Sequence, residues 1–302
     1  MGISADVHGN LVALERVIEH AKRQGVDAWW FLGDVVGYGP QPVDCILALD
    51  VLPVAAGGWL MGNHDMAACL LEPLGKCHVE RLSEGRRWQV GSQEHLSKLI
   101  PGADDLEVAA WHAGQLGVGL TGERLAKFKA APTWNVVEDG VILAHGIVWG
   151  APTDAENVSE GKSLIFPNDV LKPGPSFCQA ARQRGVEIEM LRLLIVGHTH
   201  VPMLQQGRPI ARGAHWDFSA VNEPRLDEPL PLGVVDERQW AAINPGSVGQ
   251  PRNGDPRAAY AILDTEDWSV RFHRVEYSIH RTQAAMIPFY PEVHRKRLEK
   301  GE

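Results

Sequence analysis

The chain has 302 residues, of which 44% are hydrophobic and 22% charged, with a formal net charge of -9. Those proportions suit a soluble globular protein long enough to bury its own core, and the acidic balance argues against a dedicated nucleic-acid binder, which carries a basic footprint. No run approaches about 18 apolar residues and no basic-then-apolar leader opens the chain, so neither a membrane span nor a signal peptide is expected, and a cytoplasmic location follows. Cys45, Cys69, Cys77 and Cys178 show no C-x-x-C spacing and read as reduced thiols.

Met1 to Ala5 is barely long enough for a strand, so the first strand is short or the chain starts further upstream. Leu11 to Gln24 carries Leu11, Leu14, Val17, Ile18 and Ala21 at helical spacing, with Asn10 as N-cap and Gly25 at the C′ position. Asp27 to Leu32 is an apolar, aromatic strand ended by Gly33-Asp34. Gly37 to Pro42 is turn chemistry, Val43 to Leu49 is helical, and Val51 to Ala56 is a strand running into Gly62-Asn63-His64-Asp65. From about residue 66 to 132 the pattern is mainly helical, with a marked helix start at Thr121. Asn135 to Val137 and Val141 to Ala144 form a hairpin around an Asp-Gly turn. Leu191 to Val196 is a strand delivering Gly197-His198-Thr199-His200, and Val201 to Gln206, Ala241 to Asn244, Tyr260 to Leu263 and Trp268 to Tyr277 are strands after it. Segments 148–175 and 213–237 have no regular pattern, and the last twenty residues read as an exposed helix. The first half alternates strand and helix and the second is mainly strand. This predicts an α/β domain over residues 1–280, with a helical insert near 66–132 and a helical tail at 281–302.

Polar clusters punctuate the chain where strands end: Asp6-Val7-His8, Gly33-Asp34, Gly62-Asn63-His64-Asp65, Ala144-His145-Gly146 and Gly197-His198-Thr199-His200. Ligands in α/β proteins gather beyond the carboxyl ends of strands, so residues distant in sequence converge there. Carboxylate, imidazole and carboxamide are all ligands for divalent metals. Each cluster alone is a weak signal; their order is not.

That order (D-x-H-G-N, G-D, G-N-H-D, H-G, G-H-T-H) resembles the calcineurin-like metallophosphoesterase superfamily. The stretches Gly33 to Pro40 and Asn244 to Arg252 are similar to its small bacterial and archaeal phosphodiesterase branch. The resemblance implies a four-layer α-β-β-α sandwich of two mixed β-sheets flanked by helices. It also implies two divalent metal ions, of which Mn, Fe, Zn, Ni and Co all suit the ligands. Asp6, His8, Asp34 and His200 would hold one, and Asp34, Asn63, His145 and His198 the other, with Asp34 bridging. His64 would be the general acid and Asp65 its orienting partner or a helix-start carboxylate. Two dications and two aspartates leave a cationic site that attracts phosphate, and metal-bound hydroxide is the expected nucleophile.

The expected activity is hydrolysis of a small phosphoester, a phosphodiester before a phosphomonoester, with a protein phosphatase-like enzyme or a non-catalytic scaffold as the alternatives. Asn10 either caps the helix or faces the phosphate pocket. Arg252 either meets substrate phosphate or, the favoured reading, makes a surface ion pair. Trp149 would wall the pocket, and Gly246 and Ser247 either donate N–H groups near it or turn the chain.

Overall fold

The computed structural model describes residues 1–71, 100, 103–138, 140–146, 192–209, 216–222, 224–233, 240–286, 290 and 292–302. Two six-stranded mixed sheets face one another. The first has the order β3 (Val54–Trp59), β2 (Trp29–Phe31), β1 (Gly2–Ser4), β11 (Ala258–Asp264), β12 (Ser269–Val275) and β9 (Leu230–Pro231). The second has the order β4 (Trp134–Glu138), β5 (Val141–Ala144), β6 (Leu193–Val196), β10 (Trp240–Asn244), β7 (Met203–Pro209) and β8 (Trp216–Asn222). Each sheet turns from parallel to antiparallel pairing at its centre. β1 runs parallel to β2 and antiparallel to β11, and β10 runs parallel to β6 and antiparallel to β7.

Apolar side chains of both sheets close the space between them, among them Ile3, Trp30, Leu32, Leu143, Ile195, Ile243, Ala261 and Phe272. Successive strand residues point to opposite faces, so Trp29 and Phe31 leave that core and pack outward against helices. Those helices are α1 (Leu11–Arg23), α2 (Pro42–Asp50), α3 (Asn63–Leu70), α4 (Ala103–Gly119) and α5 (Gly122–Lys129). Their buried residues, including Leu14, Val17, Ile46, Leu49, Ala68, Leu116 and Phe128, join one cluster over the first sheet. The helices expected on the outer side of the second sheet fall to residues outside the described ones. Among the described residues, no helix is long and apolar enough to cross a membrane.

Several boundaries differ from the sequence reading, each for a local reason. β1 is the short strand, with only three residues. The strand expected from Val51 starts at Val54, because α2 runs to Asp50 with Val51 as its C-cap and Pro53 follows. It then continues through Gly57 and Gly58, where turn chemistry is the simpler reading; the indole of Trp30 occupies the space a Cβ at position 58 would need. Part of the segment taken as irregular, 213–237, is strand: β8 pairs antiparallel with β7, and β9 edges the first sheet. The C-terminal residues are helical but docked. α6 (Ile279–Ala285) packs on α1, and α7 (Glu292–Lys300) packs on α6 with His294 and Leu298 buried. Within the helical insert, residues 72–99 and 101–102 lie outside the described residues.

Candidate metal centre

Asp6 and His8 follow β1, Asp34 follows β2, Asn63 opens α3 after β3, His145 follows β5, and His198 and His200 follow β6. Each sheet therefore sends its ligands from strand C-termini to one crevice, as α/β topology favours. The loops are tied together by backbone bonds: Asp6 N–H donates to Gly33 O, His8 N–H to Asp34 O, and Gly197 N–H to His145 O. The stretch after β10 braces them from below. Asn244 donates to Gly197 O at 2.7 Å, Ser247 Oγ to Asp6 O at 2.8 Å, and Gly249 N–H to Asp6 O at 2.9 Å. Ser247 thus holds a ligand-bearing turn rather than facing the site.

Ligand atoms of Asp6, His8 and His200 converge within 4.8 Å, and so do those of Asp34, His145 and His198. The imidazole tautomers follow from their outer partners. His8 Nδ1 lies 3.0 Å from Val36 O, His145 Nδ1 2.7 Å from Leu32 O, and His200 Nδ1 faces Gln250 O. A carbonyl only accepts, so each Nδ1 carries the hydrogen and each Nε2, in the neutral imidazole that a metal requires, presents a lone pair. Those lone pairs meet other acceptors. His8 and His200 Nε2 stand 3.0 Å apart, and Asp6 Oδ1 is 3.5 Å from His200 Nε2. His145 Nε2 stands 3.2 Å from Asn63 Oδ1 and 3.3 Å from both Asp34 Oδ2 and His198 Nδ1. Buried acceptors facing acceptors are unfavourable unless a cation lies among them, so the donor set fits divalent metal.

Asp34 joins the two groups through one atom. Its Oδ2 is 3.7 Å from His8 Nε2 and 3.3 Å from His145 Nε2, while Oδ1 accepts the His64 backbone N–H at 2.8 Å. The buried charges of the crevice are consistent with a place for a cation. Burial pushes the Asp6 carboxyl up to about 8, against the charge of His145. Burial alone would lower His145, but the Asp34 carboxylate beside it raises it to about 9. A proton there stands in for missing positive charge.

His64 is buried, its ring 5.0 Å from that of His8 and 4.4 Å from that of Tyr38. Burial lowers its pKa, with the Asp34 carboxylate opposing. Asp65 does not orient it through a direct bond. Its Oδ1 accepts from Val36 N–H at 2.9 Å and its Oδ2 from Gly62 N–H at 3.0 Å. Since Val36 O in turn holds His8, Asp65 secures a ligand at one remove. Asn10 is the helix cap: Oδ1 accepts from Ala13 N–H and Thr282 Oγ1, and Nδ2 donates to Gly249 O. Those bonds engage both ends of its amide in holding α1, Thr282 and the Gly249 turn. Arg252 makes no ion pair among the described residues; its Nη2 donates to Gln250 Oε1 at 3.0 Å and to Tyr38 Oη at 3.3 Å. Trp149 lies outside the described residues.

Two residues escaped the sequence reading. Tyr38 sits in left-handed backbone between Gly37 and Gly39, its ring edge-on to His8 at 4.7 Å. His112, which reads as a packing residue of α4, clamps that turn: Nδ1 accepts from Gly37 N–H at 2.9 Å and Nε2–H donates to Gly39 O at 2.9 Å. The only sequence signal for Tyr38 is its glycine-flanked position. His112 has none.

A buried Asp/His/Asn crevice between two mixed sheets defines a metal-binding α/β protein of the metallophosphoesterase fold. The chain belongs to the calcineurin-like phosphoesterase family, whose model matches residues 2–202. It is similar to a metallophosphoesterase from Sphaerobacter thermophilus, with 31% identity, coverage of 100% of this chain and 98% of that one, and a TM-score of 0.63. A hypothetical protein from Pyrococcus horikoshii shares the fold at 19% identity, with a TM-score of 0.57 over 100% of this chain and 98% of that one. An uncharacterized protein of Methanocaldococcus jannaschii is 25% identical over 298 residues, 95% of this chain and 91% of its own.

Proposed function

We propose that the protein is a dinuclear metal-dependent phosphoesterase acting on a small phosphoester, with a phosphodiester as the preferred class. The observation that carries this reading is the pair of acceptor clusters sharing Asp34 Oδ2. Asp6, His8, Asp34 and His200 would hold one ion, and Asp34, Asn63, His145 and His198 the other. Divalent ions supply Lewis acidity in such a site: they draw charge from phosphoryl oxygens and acidify water.

The residues of the chain do the rest. The carbonyls of Val36, Leu32 and Gln250 lock three imidazoles with Nε2 inward, so the ligands are oriented in advance. Burial excludes bulk water from Asp6, His8, Asp34 and His145, which strengthens attraction for a phosphate anion. We assign to His64, buried against Tyr38 and His8, the donation of a proton to the departing oxygen. The preference for diesters rests on the Gly33–Pro40 and Asn244–Arg252 signatures; a monoesterase is the alternative, and a non-catalytic scaffold is disfavoured because all seven ligands and His64 are present.

The test is a panel of nucleotides, cyclic nucleotides, aryl monoesters and aryl diesters against protein reconstituted with Mn, Fe, Zn, Ni or Co. Metal-dependent turnover is expected, lost in Asp34→Asn together with metal content. Full activity in metal-stripped protein would refute the mechanism.

A further inference from the structure

Arg252 is an exposed cation placed beside a centre that itself collects cations. Its charge is felt by Asp6, His8, His64, His198 and His200, yet no carboxylate among the described residues lies within ion-pair distance of it. An arginine in such a position is ordinarily swung outward by repulsion and by its own side-chain entropy. Here it is held. Nη2 commits both hydrogens, one to Gln250 Oε1 and one to Tyr38 Oη, and the guanidinium lies 5.6 Å from the centre of the Tyr38 ring. Both anchors are themselves fixed to the metal centre. Gln250 O holds His200 Nδ1, and Tyr38 packs on His8 and His64 from a turn clamped by His112 and by Tyr290 Oη, which donates to Gly39 O at 2.6 Å. Burial keeps the Tyr38 phenol protonated, with its pKa near 12. The remaining Nε and Nη1 hydrogens have no partner among the described residues. Nε–H and Nη1–H point to different sides of the guanidinium, so each donates singly to an anion oxygen while the group supplies a fixed positive charge.

We propose that Arg252, positioned by Tyr38 and Gln250, is a specificity residue that binds a second negative charge on the ester, beyond the single charge of a simple diester. The substrate class is an ester carrying two negative charges close to the scissile phosphorus. Those charges come either from a terminal phosphoryl dianion or from a diester with a further phosphate on its alcohol. This rests on the phosphoesterase reading above and refines its substrate.

The experiment uses full-length protein loaded with Mn(II) and four esters sharing one leaving group. p-Nitrophenyl phosphate is compared with bis(p-nitrophenyl) phosphate, and thymidine 5′-(p-nitrophenyl phosphate) with its 3′-phosphorylated form. Within each pair one member carries the added charge, and the pair that responds identifies its source. Arg252→Ala is expected to lower kcat/KM for the more highly charged member of at least one pair by about tenfold more than for the other. Calorimetric titration with inorganic phosphate, with bound metal measured in parallel, is expected to show Kd weakened about tenfold in Arg252→Ala. Arg252→Lys should recover only part of it, since lysine restores the charge but not the planar group that stays tied to Gln250 and Tyr38 while it donates. If wild type turns over the esters while Arg252→Ala leaves either the discrimination in both pairs or the phosphate Kd unchanged, the role of Arg252 is overturned alone. A metal-loaded wild type inactive on all four esters overturns the phosphoesterase reading instead.

Discussion

Asp6, His8, Asp34, His198 and His200 all have φ between 48° and 67°. Left-handed backbone at residues other than glycine costs on the order of 1–3 kcal/mol each and persists only where the surroundings over-determine it. Here the bracing bonds from Val36, Gly33 and Gly249 do so, which is why Asp34→Asn is the better probe than Asp34→Ala: asparagine tolerates this region and keeps the acceptor for His64 N–H. His64 lies in helical backbone and can be truncated without that complication. His64→Ala should retain both metals by elemental analysis yet lose about 10²–10⁴ in rate on esters with poor leaving groups, and much less on activated aryl esters. Equal losses on both classes would remove it from the role of acid. The seven residues that converge in the crevice were legible in the sequence because their chemistry is specific and each stands where a strand ends. The bonds of Asp65 were not, since a carboxylate three residues after Gly62 fits a helix-start acceptor as well as an orienting partner, and only geometry separates the two.

At the scale of elements, what was legible was what is local. The caps of α1, the hairpin of β4 and β5, and the run of β6 all rest on neighbours in sequence. β8 was missed because an edge strand flanked by polar, proline-rich chain shows no continuous apolar run. The turn at Gly37-Tyr38-Gly39 was legible from its glycines, but its clamp was not, because His112 lies 75 and 73 residues away from the groups it holds. That clamp has a pH signature. Burial lowers the His112 pKa from 6.5 to about 3, and its Nδ1 must stay unprotonated to accept from Gly37. Above pH 6.5 folded and unfolded chains are both neutral at this residue, so it adds no pH dependence. As pH falls from about 6.5 toward about 3, the unfolded chain takes up a proton that the folded chain refuses, and stability declines throughout that window. His112→Gln keeps an acceptor and a donor but cannot titrate. Urea denaturation at pH 7 and pH 5 should therefore show a smaller stability loss in the variant than in wild type. The same loss in both would dismiss the clamp as a titrating element.

For the molecule as a whole, the ligands divide between the sheets. Asp6, His8, Asp34 and Asn63 come from the first, and His145, His198 and His200 from the second. A bound cation would therefore add a tie between two layers already joined at this end by apolar contact and by bonds such as His145 Nδ1–H to Leu32 O and Ser247 Oγ–H to Asp6 O. Binding to the folded state at about a hundred times Kd stabilises by about 2.7 kcal/mol, on the order of 5 °C in Tm for a chain of this size. Scanning calorimetry with matched metal and chelator should show that difference in wild type and lose it in His145→Ala. An unchanged Tm in wild type would mean that no ion bridges the sheets.

The docked C-terminal helices carry one more consequence. Tyr290 reaches back 251 positions to Gly39, and Thr282 reaches back 272 to Asn10. A polypeptide emerging from the ribosome has thus displayed every histidine and aspartate of the crevice long before the parts that steady Tyr38 and Asn10 exist. During that interval the donors belong to a loose polymer, on which the choice among competing ions follows raw affinity rather than shape. Discrimination by shape would begin only once residues 282 and 290 have docked, so the choice of ion would fall after synthesis, in whatever pool the finished molecule meets.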